Sequence, residues 1–248
     1  MGQRIARRHA DRGVIHYKHQ HFAEALVELE NACRKLVKND DVFAVLNYLC
    51  LVHMELGRYH DVLLCAKRQA LVSEHLNNPA LQSEATFNMA RAYERVGEYK
   101  TSVTLCNRCF VTGKPPEISP LAGYTHLCLG NNYFGLSEIR KCLKHYDMAS
   151  HVARLLCDPV LECRVFMGLG QLFVTLQDNV TALQHFVRAS EIARQYSIEH
   201  PCAKYQRRVA VEMAVVYGKL GRLGEALEMC EVSCKPLRTL RMHYIVNN

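Results

Sequence analysis

The 248-residue chain contains no tryptophan, so aromatic packing falls to its 12 tyrosines and 8 phenylalanines. No apolar run approaches the roughly 18 residues that cross a bilayer as a helix. The opening segment, Met1 to His9, lacks the apolar stretch of a secretory signal, and a cytosolic chain is the expectation. Enzyme signatures are missing too. There is no Walker loop, no G-x-G-x-x-G, no G-x-S-x-G and no H-E-x-x-H, so neither catalysis nor a cofactor is expected. Acidic residues number 24 against 31 lysines and arginines, a net charge of +7. Arg4, Arg7, Arg8 and Arg12 cluster at the start, with Arg207, Arg208, Arg238 and Arg241 near the end. Such charge suits an acidic peptide or an anionic membrane face. No nucleic-acid-binding signature accompanies it, so nucleic acid is not an expected partner.

What the sequence does hold is a repeat. Met89-Ala90 is followed by Tyr93, Ser102, Cys106 and Cys109. Leu129-Gly130 is followed by Tyr133, Cys142, Tyr146 and Ala149. Leu169-Gly170 is followed by Phe173, Ala182, Phe186 and Ala189, and Met213-Ala214 by Tyr217, Ala226, Cys230 and Ser233. Large, small, aromatic, small, large, small at fixed offsets is the tetratricopeptide pattern. The small residue and the aromatic three positions on share a helix face; the small one admits the second helix, and the aromatic fills the space beside it. No single unit can bury this face, so units must stack. The fold class expected is all-α, a right-handed superhelical solenoid of about six helix-turn-helix units. Units begin near Ala6, Phe43, Ser83, Gly123, Cys163 and Arg207, at intervals of 37, 40, 40, 40 and 44 residues. An ordinary unit takes about 34, and the surplus is expected in the second helix or the link that follows it. Pro79, Pro115-Pro116, Pro159 and Pro201 fall in those links and are read as helix stops. Gly57, Gly97 and Gly221 mark turns inside units. The second unit matches the pattern least well. The layout expected is an arm over residues 1–5, the array over 6–234, and a divergent tail over 235–248.

Twelve cysteines without a secretory signal are expected to be reduced. Cys106, Cys109, Cys142 and Cys230 fall on core positions, where a thiol packs as a small hydrophobe. Cys106 and Cys109 form a C-x-x-C pair, but a zinc site needs two further ligands and there is no second such pair. His16, His19 and His21 stand close in sequence without an arranged carboxylate or thiol. No metal site is expected.

Function in a helical-repeat array usually sits on the face built by the first helices. Offset from the core stripe, Arg91, Glu94, Arg95, Asn131, Phe134, Arg164, Gln171 and Arg208 are the candidate partner-binding residues, with Val174 and Val215 beside them. Cations, amides and apolar patches suit an acidic peptide, helical or extended. Ala10 and Val14 occupy positions where chaperone-binding repeats use Lys and Asn, so a carboxylate clamp is not expected there. Gly2 is a candidate myristoylation point once Met1 is removed, although the motif prefers Ser or Thr where this chain has Ala6. The nearby arginines would supply the second signal that a single acyl chain needs.

Several segments that the repeat does not demand resemble the rapsyn family of receptor-associated synaptic scaffolds. These are Gly130 to Ser137, Leu161-Glu162-Cys163-Arg164-Val165, Leu220-Gly221-Arg222-Leu223-Gly224, the Met-Gly-Gln start and Leu56-Gly57-Arg58-Tyr59. The resemblance implies a myristoylated scaffold on the inner face of the postsynaptic membrane. It implies self-association through the repeats, clustering of nicotinic acetylcholine receptors, and linkage to cytoskeletal proteins. It extends to about Cys234. Pro236 would interrupt the second helix of the sixth unit, and no coiled coil or RING cysteines follow. The family's receptor contact through that coiled coil, its zinc binding and its ligase activity are therefore not expected of this chain. A soluble peptide-binding adaptor is the alternative.

Overall fold

The computed structural model describes residues 2–196, 202 and 204–234. They form twelve α-helices: α1 Gly2–Lys18, α2 Phe22–Lys35, α3 Asn39–Glu55, α4 Tyr59–His75, α5 Pro79–Val96, α6 Tyr99–Thr112, α7 Pro120–Gly135, α8 Ile139–Leu155, α9 Pro159–Thr175, α10 Asn179–Arg194, α11 Lys204–Lys219 and α12 Leu223–Cys234. There is no strand among the described residues. The chain divides into two compact units, Met1–Glu138 and Ile139–Asn248. The first holds α1 to α7 and the second α8 to α12.

The repeat period is written into the backbone. Residues with left-handed φ close the turn within each helix pair: Gln20, Gly57, Gly97, Ser137, Gln177 and Gly221. Their spacing is 37, 40, 40, 40 and 44 residues, the same series the side-chain pattern gives. Three of the six turns use glycine, which adopts this conformation without a Cβ penalty.

Two contacts fix the register of the hairpins. Near the turn, the small position of the first helix meets the second helix twelve residues later. Cys50 Sγ donates to the Val62 carbonyl at 3.8 Å, and Ser102 Oγ donates to the Ala90 carbonyl at 2.8 Å. At the open end, partners lie twenty-six residues apart. Ser83 Oγ donates to the Cys109 carbonyl at 3.1 Å, Cys163 Sγ to the Ala189 carbonyl at 3.5 Å, and Gln69 Nε2 to the Phe43 carbonyl at 3.4 Å. The packing is close enough that a Cβ on Gly170 would lie 2.5 Å from Phe186 Cε1, and one on Gly13 2.6 Å from Leu29 Cγ.

Several expectations change. Pro79 and Pro159 start helices, as does Pro120. Each stands in the first turn behind a side-chain cap, from Asn78, Asp158 and Ser119 respectively. Proline suits that position because the first-turn N–H has no intrahelical partner anyway. The surplus residues do not go only to second helices and links: first helices run 16–18 residues. Residues 2–5 belong to α1. Cys106, Cys109 and Cys142 are fully buried, but Cys230 is exposed. It lies on α12, whose described packing is against α11 and which buries none of its residues. Arg207, at the unit-start position, is exposed, and α11 buries Val209, Ala210, Met213, Ala214 and Val216 instead. Pro201, Pro236, Arg238, Arg241 and the tail lie outside the described residues.

Candidate partner-binding face and lipid site

Within the first compact unit, the first helices touch in sequence, α1 with α3, α3 with α5 and α5 with α7. Grooves open instead on the other side, between second helices. One is lined by Cys33, Leu49, Leu64 and Arg68, the other by Leu71, Met89, Leu105 and Arg108. First helices therefore form the closely packed face, and second helices the splayed one. The second compact unit repeats the contact between α9 and α11.

Five candidates lie in the first unit and three in the second. Arg91, Glu94 and Arg95 are on α5, and Asn131 and Phe134 on α7. Asn131 Nδ2 donates to Glu94 Oε1 at 2.8 Å, a rung across the two first helices. Arg91 is half-buried with its guanidinium 5.8 Å from the Phe87 ring centroid. Arg95 is exposed and Phe134 half-buried. In the second unit, Arg164 and Gln171 are on α9 and Arg208 on α11. Gln171 Nε2 donates to Glu212 Oε1 at 3.0 Å, a second rung of the same kind. Arg164 is half-buried and Arg208 exposed, as is Val215.

Sequence reasoning missed Glu212, which completes the second rung. Its signal was positional: Asn131 and Gln171 occupy the same place in their units, so each needs an acceptor on the neighbouring first helix. Also missed was a buried polar chain. Asn88 Nδ2 donates to both Asn47 Oδ1 and Gln69 Oε1 at 2.9 Å, deep between α3, α4 and α5. Gln69 stands where the other units carry Ala, Cys or Ser. This explains why the second unit matches the repeat pattern least well.

Gly2 is exposed, and a Cβ there would meet nothing within 4 Å. The arginines around it divide. Arg7 pairs with Asp41 at 2.8 Å and Arg12 with Glu28 at 3.1 Å, while Arg4 and Arg8 are exposed. The Glu28 carboxyl is held below the usual range, chiefly by its hydrogen bond to His9, with Arg12 adding to it. Two of the four arginines thus brace α1 against its neighbours, while Arg4 and Arg8 stay exposed on the same helix as Gly2.

His16, His19 and His21 do gather, with ring centroids 6.1 and 6.4 Å apart. No group of three or more metal-ligating side chains suited to an ion occurs among the described residues. The C-x-x-C pair is buried: Cys109 donates to the Ser83 carbonyl at 3.4 Å, and burial pushes its thiol up to about 12. Both cysteines pack in the core.

Residues 1–80 match the family described as the rapsyn N-terminal myristoylation and linker region. The 43 kDa receptor-associated protein of the synapse from Tetronarce californica is 30% identical over 235 residues, which is 95% of this chain. The chain is similar to rapsyn over nearly its whole length. The counterpart from Gallus gallus is 31% identical over the same length. The chain spans 57% of the length of each of these rapsyns. Among solved structures, apo RapI is similar with a TM-score of 0.71, at 13% identity, over 97% of this chain and 85% of that one. The TPR-like repeats of a kinesin light chain from Podosopora anserina give a TM-score of 0.57, at 13% identity, over 84% and 99%. At such identities the likeness concerns the fold, a helical repeat of tetratricopeptide type. No described helix is long and apolar enough to cross a membrane.

Proposed function

We propose that this chain is a non-catalytic scaffold held on the inner face of the postsynaptic membrane by an acyl group on Gly2. There it joins the acetylcholine receptor complex through its repeat array. The observation that carries this reading is continuity. The similarity to rapsyn runs through 95% of the chain, from a region named for myristoylation into the repeats. The open space at Gly2 and the exposed Arg4 and Arg8 support it. A single acyl chain binds membranes only marginally, and neighbouring cations add about 1 kcal/mol each near an anionic surface. Self-association through the repeats and linkage to cytoskeletal proteins belong to the same proposal. Co-precipitation of two differently tagged copies, together with a co-expressed receptor, tests it. Recovery of neither the second copy nor the receptor would sink the scaffold.

The polar rungs favour a second reading, a soluble adaptor that takes a peptide on the first-helix face. Half-buried amides and carboxylates there present fixed donors and acceptors, and half-buried Arg91 and Arg164 with exposed Arg208 add the positive charge that an acidic ligand would meet. Charge reversal of these arginines to Glu would weaken capture of such a peptide. If pull-downs recover only copies of the chain itself, this reading fails.

A further inference from the structure

The first compact unit builds one groove twice, and the two differ in the chemistry that faces into them. Met89, Leu105 and Arg108 of the groove between α4 and α6 follow Leu49, Cys65 and Arg68 of the groove between α2 and α4 by forty residues each. Glu30, Cys33 and Arg34 recur thirty-seven residues on as Lys67, Ala70 and Leu71. In the α2/α4 groove the cations are occupied. Arg34 pairs with Glu30 at 3.3 Å, and Arg68 Nη1 donates to Cys33 Sγ at 3.2 Å. In the α4/α6 groove a lysine takes the place of that carboxylate and an alanine the place of that thiol. Lys67 and Arg108 are exposed, and neither pairs with a carboxylate among the described residues. No acidic residue lines this groove, and α6 has none along its length. The floor is largely apolar, with half-buried Met89 and Tyr93 from α5, and Leu71 stands at the edge with 58% of its surface exposed. The space is about 460 Å³, against about 300 Å³ for its counterpart.

We propose that the α4/α6 groove docks an amphipathic α-helix of a partner protein, one whose apolar stripe is flanked by glutamates or aspartates. The shape suits a helix. Lys67, Ala70 and Leu71 share one face of α4, and Thr101, Leu105 and Arg108 share one face of α6. The stretch from Thr101 to Arg108 is about 10 Å long, close to two helical turns. An occupant lying along it sets apolar side chains at i, i+3 or i+4, and i+7 against Leu71, Met89 and Leu105. The charge selects the flanks. One cation stands on each wall, so the occupant meets positive charge along both edges. Carboxylates on both sides of a helical stripe answer that arrangement, whereas an acyl chain carries its negative charge at one end only. An exposed leucine beside an apolar floor, rimmed by polar residues, marks a protein contact. Lys67 and Arg108 belong to second helices, so the site lies on the other side of the unit from Arg91. It stands independently of the peptide reading for the first-helix face.

Fluorescence anisotropy on the full chain tests this. The probe is a fluorescein-labelled helical peptide of about 18 residues, with leucines along one face and glutamates on both flanks. A peptide of the same composition with its leucines scattered round the helix is the control. The amphipathic peptide should bind at least about tenfold more tightly than the scattered one. The double reversal Lys67→Glu with Arg108→Glu should weaken its binding at least about tenfold. Leu71→Glu should weaken it as well, by placing a carboxylate at the edge of the floor. The same charge change at exposed Arg140 and Lys144 of α8 should leave it unchanged. All these positions are exposed, and circular dichroism melts check that each variant stays folded. No binding, equal binding of the two peptides, or a loss that follows Arg91→Glu instead of the Lys67 and Arg108 reversals overturns the proposal. If Lys67 and Arg108 instead govern sedimentation with phosphatidylserine vesicles while the peptide stays free, the groove takes lipid and the proposal also falls.

Discussion

Gly170 illustrates how tightly a single position is held. The Phe186 ring occupies the space a Cβ would need, with three ring atoms within 2.8 Å. An aromatic ring cannot bend aside, so Gly170→Ala should cost about 1–3 kcal/mol, measurable by urea unfolding. Asn88 is a different kind of constraint. Its amide serves the buried Gln69 and the half-buried Asn47, and Asn88→Ala would take that donor from both. A loss of about 1–3 kcal/mol is expected in the same assay. Glu84, half-buried on α5, has its carboxyl pushed up by burial. A carboxyl raised on folding holds its proton more tightly in the folded chain. Its contribution is full below the unfolded pKa and is lost as pH rises through the folded one. Glu84→Gln should therefore raise the melting temperature at pH 7 and change it little near pH 4. The small positions were legible in the sequence because they recur with the period. Gln69 and Asn88 were not. Gln69 replaces the small residue of the second unit and Asn88 lies in the third, and only the fold brings α3, α4 and α5 together around them.

Among the helices, the turns are the most regular feature. Gln20, Ser137 and Gln177 adopt the left-handed conformation that glycine serves in the other three units. An L-residue there carries about 1–2 kcal/mol of strain, against the roughly 0.5–1 kcal/mol of extra chain entropy that glycine loses on folding. Gln177→Gly should leave stability unchanged or raise it by up to about 1 kcal/mol, whereas Gly97→Val should lower it by more than that. Thermal melts of the two variants decide the sign. Element boundaries were legible where chemistry marks them. The dipeptides Asn78-Pro79, Ser119-Pro120 and Asp158-Pro159 each pair a cap with a first-turn proline. They begin helices, and reading proline only as a stop obscured this. The last helix differs for a physical reason. The pattern marks Ala226, Cys230 and Ser233 as core, but a repeat buries its outer stripe only against a neighbour, and the described residues give α12 none beyond α11.

For the whole chain, periodicity alone pointed to a helical repeat, the fold that the structure shows. The segments that the repeat does not require carried the likeness to rapsyn, now extended over 95% of the chain. The candidate face was legible in part. Asn131, Glu94 and Gln171 form rungs between first helices, while Arg95 and Arg208 remain exposed side chains whose use depends on a ligand. Gly2, the candidate lipid site, lies exposed at the start of α1. The scaffold reading depends most on that residue, because attachment to the membrane separates it from a soluble adaptor. The direct measurement is the mass of the N-terminal peptide of the chain expressed in animal cells, alongside membrane fractionation of wild type and Gly2→Ala. The account predicts a myristoylated Gly2 and a membrane-bound wild type that Gly2→Ala releases to the soluble fraction. A free or acetylated N-terminus, with both proteins distributed alike, would contradict it.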